Sequence, residues 1–165
     1  KASALGTYLP SFLNMDEGEG VLYALDPGDY AGSVVFFFEN GKAARIELSA
    51  YATKTNRKKL TGAYSDKSPV ASVMALREDA EAAVYSSDGR AVVFSTALVA
   101  PKTTRATQGV AAMALKRNHK VVKAVRLADT PISDIKRYRV GSLPASGALL
   151  REGDREERQM EIEFD

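Results

Sequence analysis

The sequence contains no cysteine and a single histidine among its 165 residues. The lack of cysteine excludes disulfides and thiolate metal sites, and fits a reducing compartment. Any Ser-His-Asp triad would have to use His119, which lies among Lys116, Arg117 and Lys120 with no acid close by in sequence. His119 therefore reads as a surface residue rather than a catalyst or ligand. No glycine-rich loop ends in Gly-Lys-Ser or Gly-Lys-Thr, so the usual phosphate cradle is missing. Asp16, Glu17 and Glu19 cluster in a turn without a histidine partner and suggest at most a weak cation site. The strongest apolar run, Val34–Phe38, is far too short to cross a bilayer. The N-terminus lacks a basic region running into an apolar stretch, the pattern of a secretory signal. The chain opens on Lys1, which predicts a piece of something longer.

The chain is 45% hydrophobic and 27% charged, ordinary for one folded domain or a few repeats sharing a core. Its net charge of +2 hides a segregation. Residues 1–39 carry −5, residues 40–140 carry +11 and residues 141–165 carry −4. A basic middle between acidic ends points to a polyanionic partner, against the plainer reading of a charged surface kept for solubility.

One phrase is written twice. Glu39–Tyr51 and Ser87–Val99 align with Asn40 and Asp88, Gly41 and Gly89, Lys42 and Arg90, and Ile46 and Phe94 each 48 positions apart. Asn-Gly and Asp-Gly are preferred in two-residue type I′ turns, where both central residues need φ > 0. Val34–Phe38 and Ala43–Leu48 flank the first turn, and Ala82–Tyr85 and Ala91–Phe94 the second, so each copy predicts a β-hairpin. Val21–Leu25, Val70–Leu76 and Val121–Leu127 read as strands leading towards a hairpin. A glycine phrase recurs at Gly6, Gly62, Gly109 and Gly147, at spacings of 56, 47 and 38. The third hairpin is replaced by Thr130–Tyr138, where Thr130 as N-cap and Pro131 at the first helical position predict a short helix.

The unit is thus a strand, a hairpin, a basic loop and a glycine-marked strand, with a degenerate last copy as in a capped array. Its period of about 40–50 residues predicts blades of small antiparallel sheets, roughly three of them, at about 5–60, 61–108 and 109–150. Residues 1–150 form the all-β domain in this reading. Residues 151–165 form an acidic tail, either poorly ordered or docked along an edge.

The phrase Asn40-Gly-Lys-Ala-Ala-Arg-Ile-Glu-Leu-Ser-Ala-Tyr51 resembles the blade hairpin in the C-terminal domain of the A subunit of bacterial type IIA DNA topoisomerases, gyrase and topoisomerase IV. In that family a Gly-Lys turn runs into a basic residue and a Leu-Ser-Glu-Tyr-like ending. Arg105-Ala-Thr-Gln-Gly-Val-Ala-Ala-Met-Ala-Leu115 resembles the Arg-x-x-x-Gly-Val-x-x-x-x-Leu segment that opens a blade. Lys1–Met15 is similar to the start of an earlier one, and the likeness covers roughly residues 1–128 and, less clearly, 139–150. The resemblance implies a β-pinwheel, a propeller-like disc whose blades exchange strands. It also implies a module that binds and bends duplex DNA around a basic rim and has no chemistry of its own. None of the glycine phrases matches the family's glycine-rich basic box, so gyrase and topoisomerase IV both stay open. A full disc also has more blades than this length can build.

The resemblance further implies that ATP and magnesium act elsewhere in the holoenzyme, and that the partners are the rest of the A subunit and the B subunit. The location it implies is the bacterial cytoplasm, at the nucleoid. Candidate phosphate contacts are Lys54, Arg57, Lys58, Lys59 and Lys67 after the first hairpin, and Lys102 and Arg105 after the second. Thr103, Thr104 and Thr107 stand beside them as neutral donors. Lys116, Arg117 and Lys120 make a third cluster, and Lys42, Arg45 and Arg90 add bases on the hairpins. Recurrence once per repeat predicts positions around one rim, suited to a bent duplex whose bending costs of order 1–6 kcal/mol. Lys54–Lys59 as a merely solvated loop is the plainer alternative. No recognition helix or aromatic row points to base reading. The rival of another class is a protein-interaction module docking an acidic partner, with the acidic tail as such a partner in cis.

Overall fold

The structure is a computed structural model of the chain, and it describes residues 13, 15–55 and 59–155. Arg57 and Lys58, the phrase around Gly6 and the end of the tail lie outside the described residues.

Two hairpins organise the chain. Ser33–Phe38 (β1) pairs antiparallel with Lys42–Glu47 (β2), and Glu81–Ser86 (β4) pairs with Arg90–Ser95 (β5). Both turns differ from the two-residue type expected from sequence. Gly41 N donates to Phe38 O at 3.0 Å and Gly89 N to Ser86 O at 3.1 Å, which makes the loops three residues long. Only the glycine of each loop has positive φ, +86° at Gly41 and +76° at Gly89. This is a type I turn closed by a left-handed glycine. Asn40 Oδ1 accepts from Lys42 N at 3.1 Å, a local bond across the turn.

Each hairpin is widened on both edges by strands from later in the chain. Val70–Leu76 (β3) and Val110–Ala111 (β6) complete the first sheet in the order β3-β1-β2-β6. Val121–Arg126 (β7) and Ala148–Leu149 (β8) complete the second in the order β7-β4-β5-β8. Strands β3 and β7 lead towards a later hairpin or its place but pair with the hairpin before them, where β1 and β4 each offer an unpaired edge. The described residues form two sheets, the last repeat placing β7 and β8 on the second. Val21–Leu25, expected as a strand, has no strand structure, and no hairpin among the described residues offers it an edge.

The core lies between the sheets. Val35 and Phe37 of β1 and Met74 and Leu76 of β3 meet Val84, Val92, Phe94, Val121 and Ala124 of the second sheet. Val34, Phe36 and Phe38 point the other way into a second cluster. All six β1 residues are buried because both faces of this strand are covered, which accounts for an apolar run without alternation. Edge strands β3 and β7 pack on each other and are tied by Ala124 N donating to Ser72 Oγ at 2.9 Å.

The recurring glycine has a steric cause. Gly109 and Gly147 have φ of +74° and +72° and bring β6 and β8 against the second strand of each hairpin. A Cβ at Gly109 would strike the Ala43 carbonyl, and one at Gly147 the Ala91 carbonyl.

The segment after β7 caps the outer face of the second sheet. Ile135–Tyr138 (α1) starts four residues later than expected, because Thr130 ends a 3-10 turn, its N–H and its Oγ1 both donating to Leu127 O, at 3.1 and 2.7 Å. Ile132 and Tyr138 pack on Ala83, Tyr85 and Val93. The start of the acidic tail is docked here. Buried Asp154 accepts from Ser133 N at 2.7 Å, Ser133 Oγ at 2.9 Å and Tyr138 Oη at 2.8 Å. These bonds hold its carboxyl below the ordinary range, the Ser133 backbone bond most of all. Among the described residues no helix is long and apolar enough to cross a membrane.

Candidate nucleic-acid interface

The bases singled out from sequence fall at two places in the fold. One is the tip side, where the hairpin turns lie. Asn40 N donates to Ser68 Oγ at 3.1 Å and Glu39 N to Pro69 O at 2.9 Å, which sets the loop carrying Lys67 against the first tip. The turn Lys116–Lys120 sits between the two tips. Ser87 N donates to Lys120 O at 2.8 Å, Lys120 N returns a bond to Ser87 Oγ at 3.0 Å, and Val121 N donates to Glu39 O at 3.0 Å. Asn118, at φ +64°, turns the chain so that Lys116, Arg117, His119 and Lys120 are all exposed. His119 Nδ1 lies 2.9 Å from Ser87 Oγ, a surface contact.

The other place is the outer edge of the first sheet. Lys102 N donates to Arg45 O at 2.8 Å and Glu47 N to Lys102 O at 2.9 Å, anchoring the segment that then runs along β2 to β6. Lys102 is exposed on this segment and Arg105 is half-buried. Gln108 joins it through a bond from Lys42 Nζ at 3.2 Å. Lys54 lies exposed in the loop after β2.

Ion pairing separates these bases into two groups. Arg45 donates to Asp79 at 2.6 Å, Lys59 to Asp16 at 2.7 Å, Arg90 to Asp88 at 3.2 Å and Lys120 to Glu39 at 3.4 Å. Lys42, Lys54, Lys67, Lys102, Arg105, Lys116 and Arg117 form no salt bridge among the described residues. The second group can meet a phosphate without first breaking an internal pair.

Arg45 is largely buried, its side chain 13% exposed. Its Nε donates to Ser33 Oγ at 2.8 Å and its Nη1 to Thr96 O at 3.1 Å, besides Asp79. The Arg45 hydrogen bond, then that from Thr96, holds the Asp79 carboxyl below the ordinary range. This arginine links the two sheets. Asp88 is lowered first by the Ser86 hydroxyl and then by His119, Arg90 and Lys116. Asp16 and Glu19, read from sequence as a weak cation site, hold Lys59 instead. No group of carboxylates or histidines able to hold a metal ion occurs among the described residues.

Sequence reasoning passed over the outer edge of the second sheet. The pairing of Ile46 with Lys102 is matched there by Val93 with Arg139. Arg139 is gripped by both oxygens of Glu81, at 2.7 and 2.8 Å, and Arg137 donates to Leu149 O at 3.1 Å. The one available signal was the row Lys136-Arg137-Tyr138-Arg139, at the place where the third hairpin is missing.

No protein-family model and no curated protein matches the chain. Solved structures do. A crystal structure of the C-terminal domain of DNA topoisomerase IV is 26% identical with a TM-score of 0.65, over 78% of this chain and 40% of that one. The DNA gyrase A C-terminal domain is 22% identical with a TM-score of 0.55, over 72% of this chain and 43% of that one. The chain therefore spans about two fifths of the length of these domains. In its two strand-exchanging, mostly antiparallel sheets, the chain is similar to the β-pinwheel C-terminal domains of topoisomerase IV and gyrase A, as the phrases at Asn40–Tyr51 and Arg105–Leu115 led us to expect.

Proposed function

We propose that this chain is a DNA-binding module of a type IIA topoisomerase A subunit, gripping duplex DNA through its phosphates without reading sequence. The observation that carries this is the set of candidate bases that form no ion pair among the described residues, on a fold similar to that of the topoisomerase IV domain. Lys102 and Arg105 on one edge, with Lys67, Lys116 and Arg117 beside the hairpin tips, supply the charge. Clustered bases bind a phosphate backbone mainly by releasing its condensed counterions. Thr103, Thr104 and Thr107 add neutral donors along the same edge. Contacts at two places suit a duplex that bends to reach both, and each added contact offsets part of the bending cost.

The module does no chemistry of its own in this reading. Strand cleavage, ATP hydrolysis and the magnesium they use belong to the rest of the A subunit and to the B subunit, its partners in the bacterial cytoplasm. A mobility-shift titration with duplexes of unrelated sequence tests the proposal. Binding at low salt with similar affinity across sequences is expected, with log K falling about 0.9 per phosphate contact for each log unit of salt. Absence of duplex binding at low salt overturns it.

A further inference from the structure

We propose that His119 is a further DNA contact controlled by its proton: the imidazolium joins the cluster beside the hairpin tips as a phosphate partner, so that duplex binding takes up a proton at this ring. The inference rests on the DNA-binding reading above and adds a pH-dependent residue to it. Histidine is the side chain that ordinarily changes charge between about pH 5 and 8. This chain has one histidine, and no cysteine to titrate near that range.

The fold puts that ring among the bases beside the tips. His119 N donates to Lys116 O at 3.1 Å and closes the turn Lys116–Lys120. Ser87 and Lys120 exchange two bonds that fasten the turn to the second tip, and Val121 N fastens it to Glu39 at the first. The exposed imidazole has one side-chain contact, from Nδ1 to Ser87 Oγ at 2.9 Å. That hydroxyl oxygen already accepts from Lys120 N at 3.0 Å, so with a neutral ring it donates to Nδ1 and the ring proton sits on Nε2. A hydroxyl offers one donor and two acceptor sites. When Nδ1 takes a proton from solvent, the Ser87 hydroxyl turns and accepts it through its second lone pair. The ring is held in the same place in both states, and only its charge changes. Nε2 makes no hydrogen bond among the described residues. Its N–H is a neutral donor in one state and a cationic donor in the other, and a charge-assisted bond is about twice as strong.

The charged neighbours set the sign. Lys116, Arg117 and Lys120 stand on the same turn, Asp88 and Arg90 on the second hairpin, and Glu39 on the first, 3.4 Å from Lys120. The Asp88 carboxyl is held below the ordinary range, by the Ser86 hydroxyl first and His119 after it, so it stays ionised where histidine titrates. Without DNA, the surrounding bases oppose one more positive charge. A phosphate backbone across the tips neutralises those bases and attracts the imidazolium. DNA thus favours the protonated ring, and by reciprocity acid favours DNA.

Duplex titrations of the whole chain at about pH 5.5 and about pH 8, each over a salt series, test this. Affinity should rise about threefold to tenfold at the lower pH, the range for one exposed charged contact. The salt slope should steepen by up to about 0.9, one further phosphate neutralised. His119→Gln keeps a hydrogen-bonding side chain that cannot charge, and should lose both changes. His119→Lys, charged throughout, should give the steeper slope at both pH values. Calorimetry at about pH 6.5 in two buffers of different ionisation enthalpy should read proton uptake on binding, abolished in His119→Gln. Duplex binding without a pH step, or a step that persists in His119→Gln, overturns the proposal and leaves the DNA-binding reading standing. Absence of duplex binding at either pH overturns both.

Discussion

The Arg45 guanidinium on the first sheet meets the Asp79 carboxylate, in the connection leading to the second, at 2.6 Å. One residue in the repeated phrase thus fastens one blade to the next, with Ser33 Oγ and the Thr96 carbonyl completing its bonds. Arg45→Ala should destabilise the chain by roughly 2 kcal/mol, the scale of lost hydrogen bonds to a charged group. DNA affinity measured well below the melting temperature should keep its salt slope. Denaturant unfolding and a mobility-shift titration on the same variant check both halves.

The unpaired bases should behave in the opposite way. Replacing Lys102, Arg105, Lys116 and Arg117 with Ala should leave stability within about 0.5 kcal/mol, as expected for surface changes. The salt slope of DNA binding should flatten by about 0.9 for each phosphate that the variant no longer neutralises. Replacing Lys59 and Arg90, which are held by Asp16, Glu19 and Asp88, should change the slope less.

The glycines separate a close approach from simple turn geometry. Gly62→Ala should cost about 1–2 kcal/mol, the strain of a left-handed backbone alone. Gly109→Ala should cost more, because its Cβ also strikes the Ala43 carbonyl and forces β6 away from β2. Thermal unfolding of the two variants side by side measures the difference.

The cap on the second sheet should be sensitive to acid. Asp154 has its carboxyl pulled below the ordinary range, so the folded state holds its proton less tightly than the unfolded one. The stability it contributes is present above its unfolded pKa of about 3.9 and is lost as pH falls through the lower folded value. The melting temperature should fall over that acid window, and Asp154→Asn should remove this part of the fall while lowering the melting temperature at neutral pH.

Much of this protein could be read from local chemistry. The two hairpins, their 48-residue offset and the recurring glycine are properties of short stretches, and they reappear as β1–β2, β4–β5 and the close approaches at Gly109 and Gly147. Even there the turn type escaped, because a positive-φ glycine suits both a two-residue turn and a three-residue loop that ends on it.

What the sequence by itself determined was the repeat, its β character and the charge it carries. What only the tertiary structure decided was which segment pairs with which hairpin and which bases stay free. Strand exchange joins residues far apart in the chain, as at Lys42 and Ala111, and no local pattern encodes such a pairing. A base is neutralised only when folding brings a carboxylate to it. Glu39 reaches Lys120 across 81 positions and Asp79 reaches Arg45 across 34, while Lys116 and Arg117, in the same run as Lys120, form no such pair among the described residues.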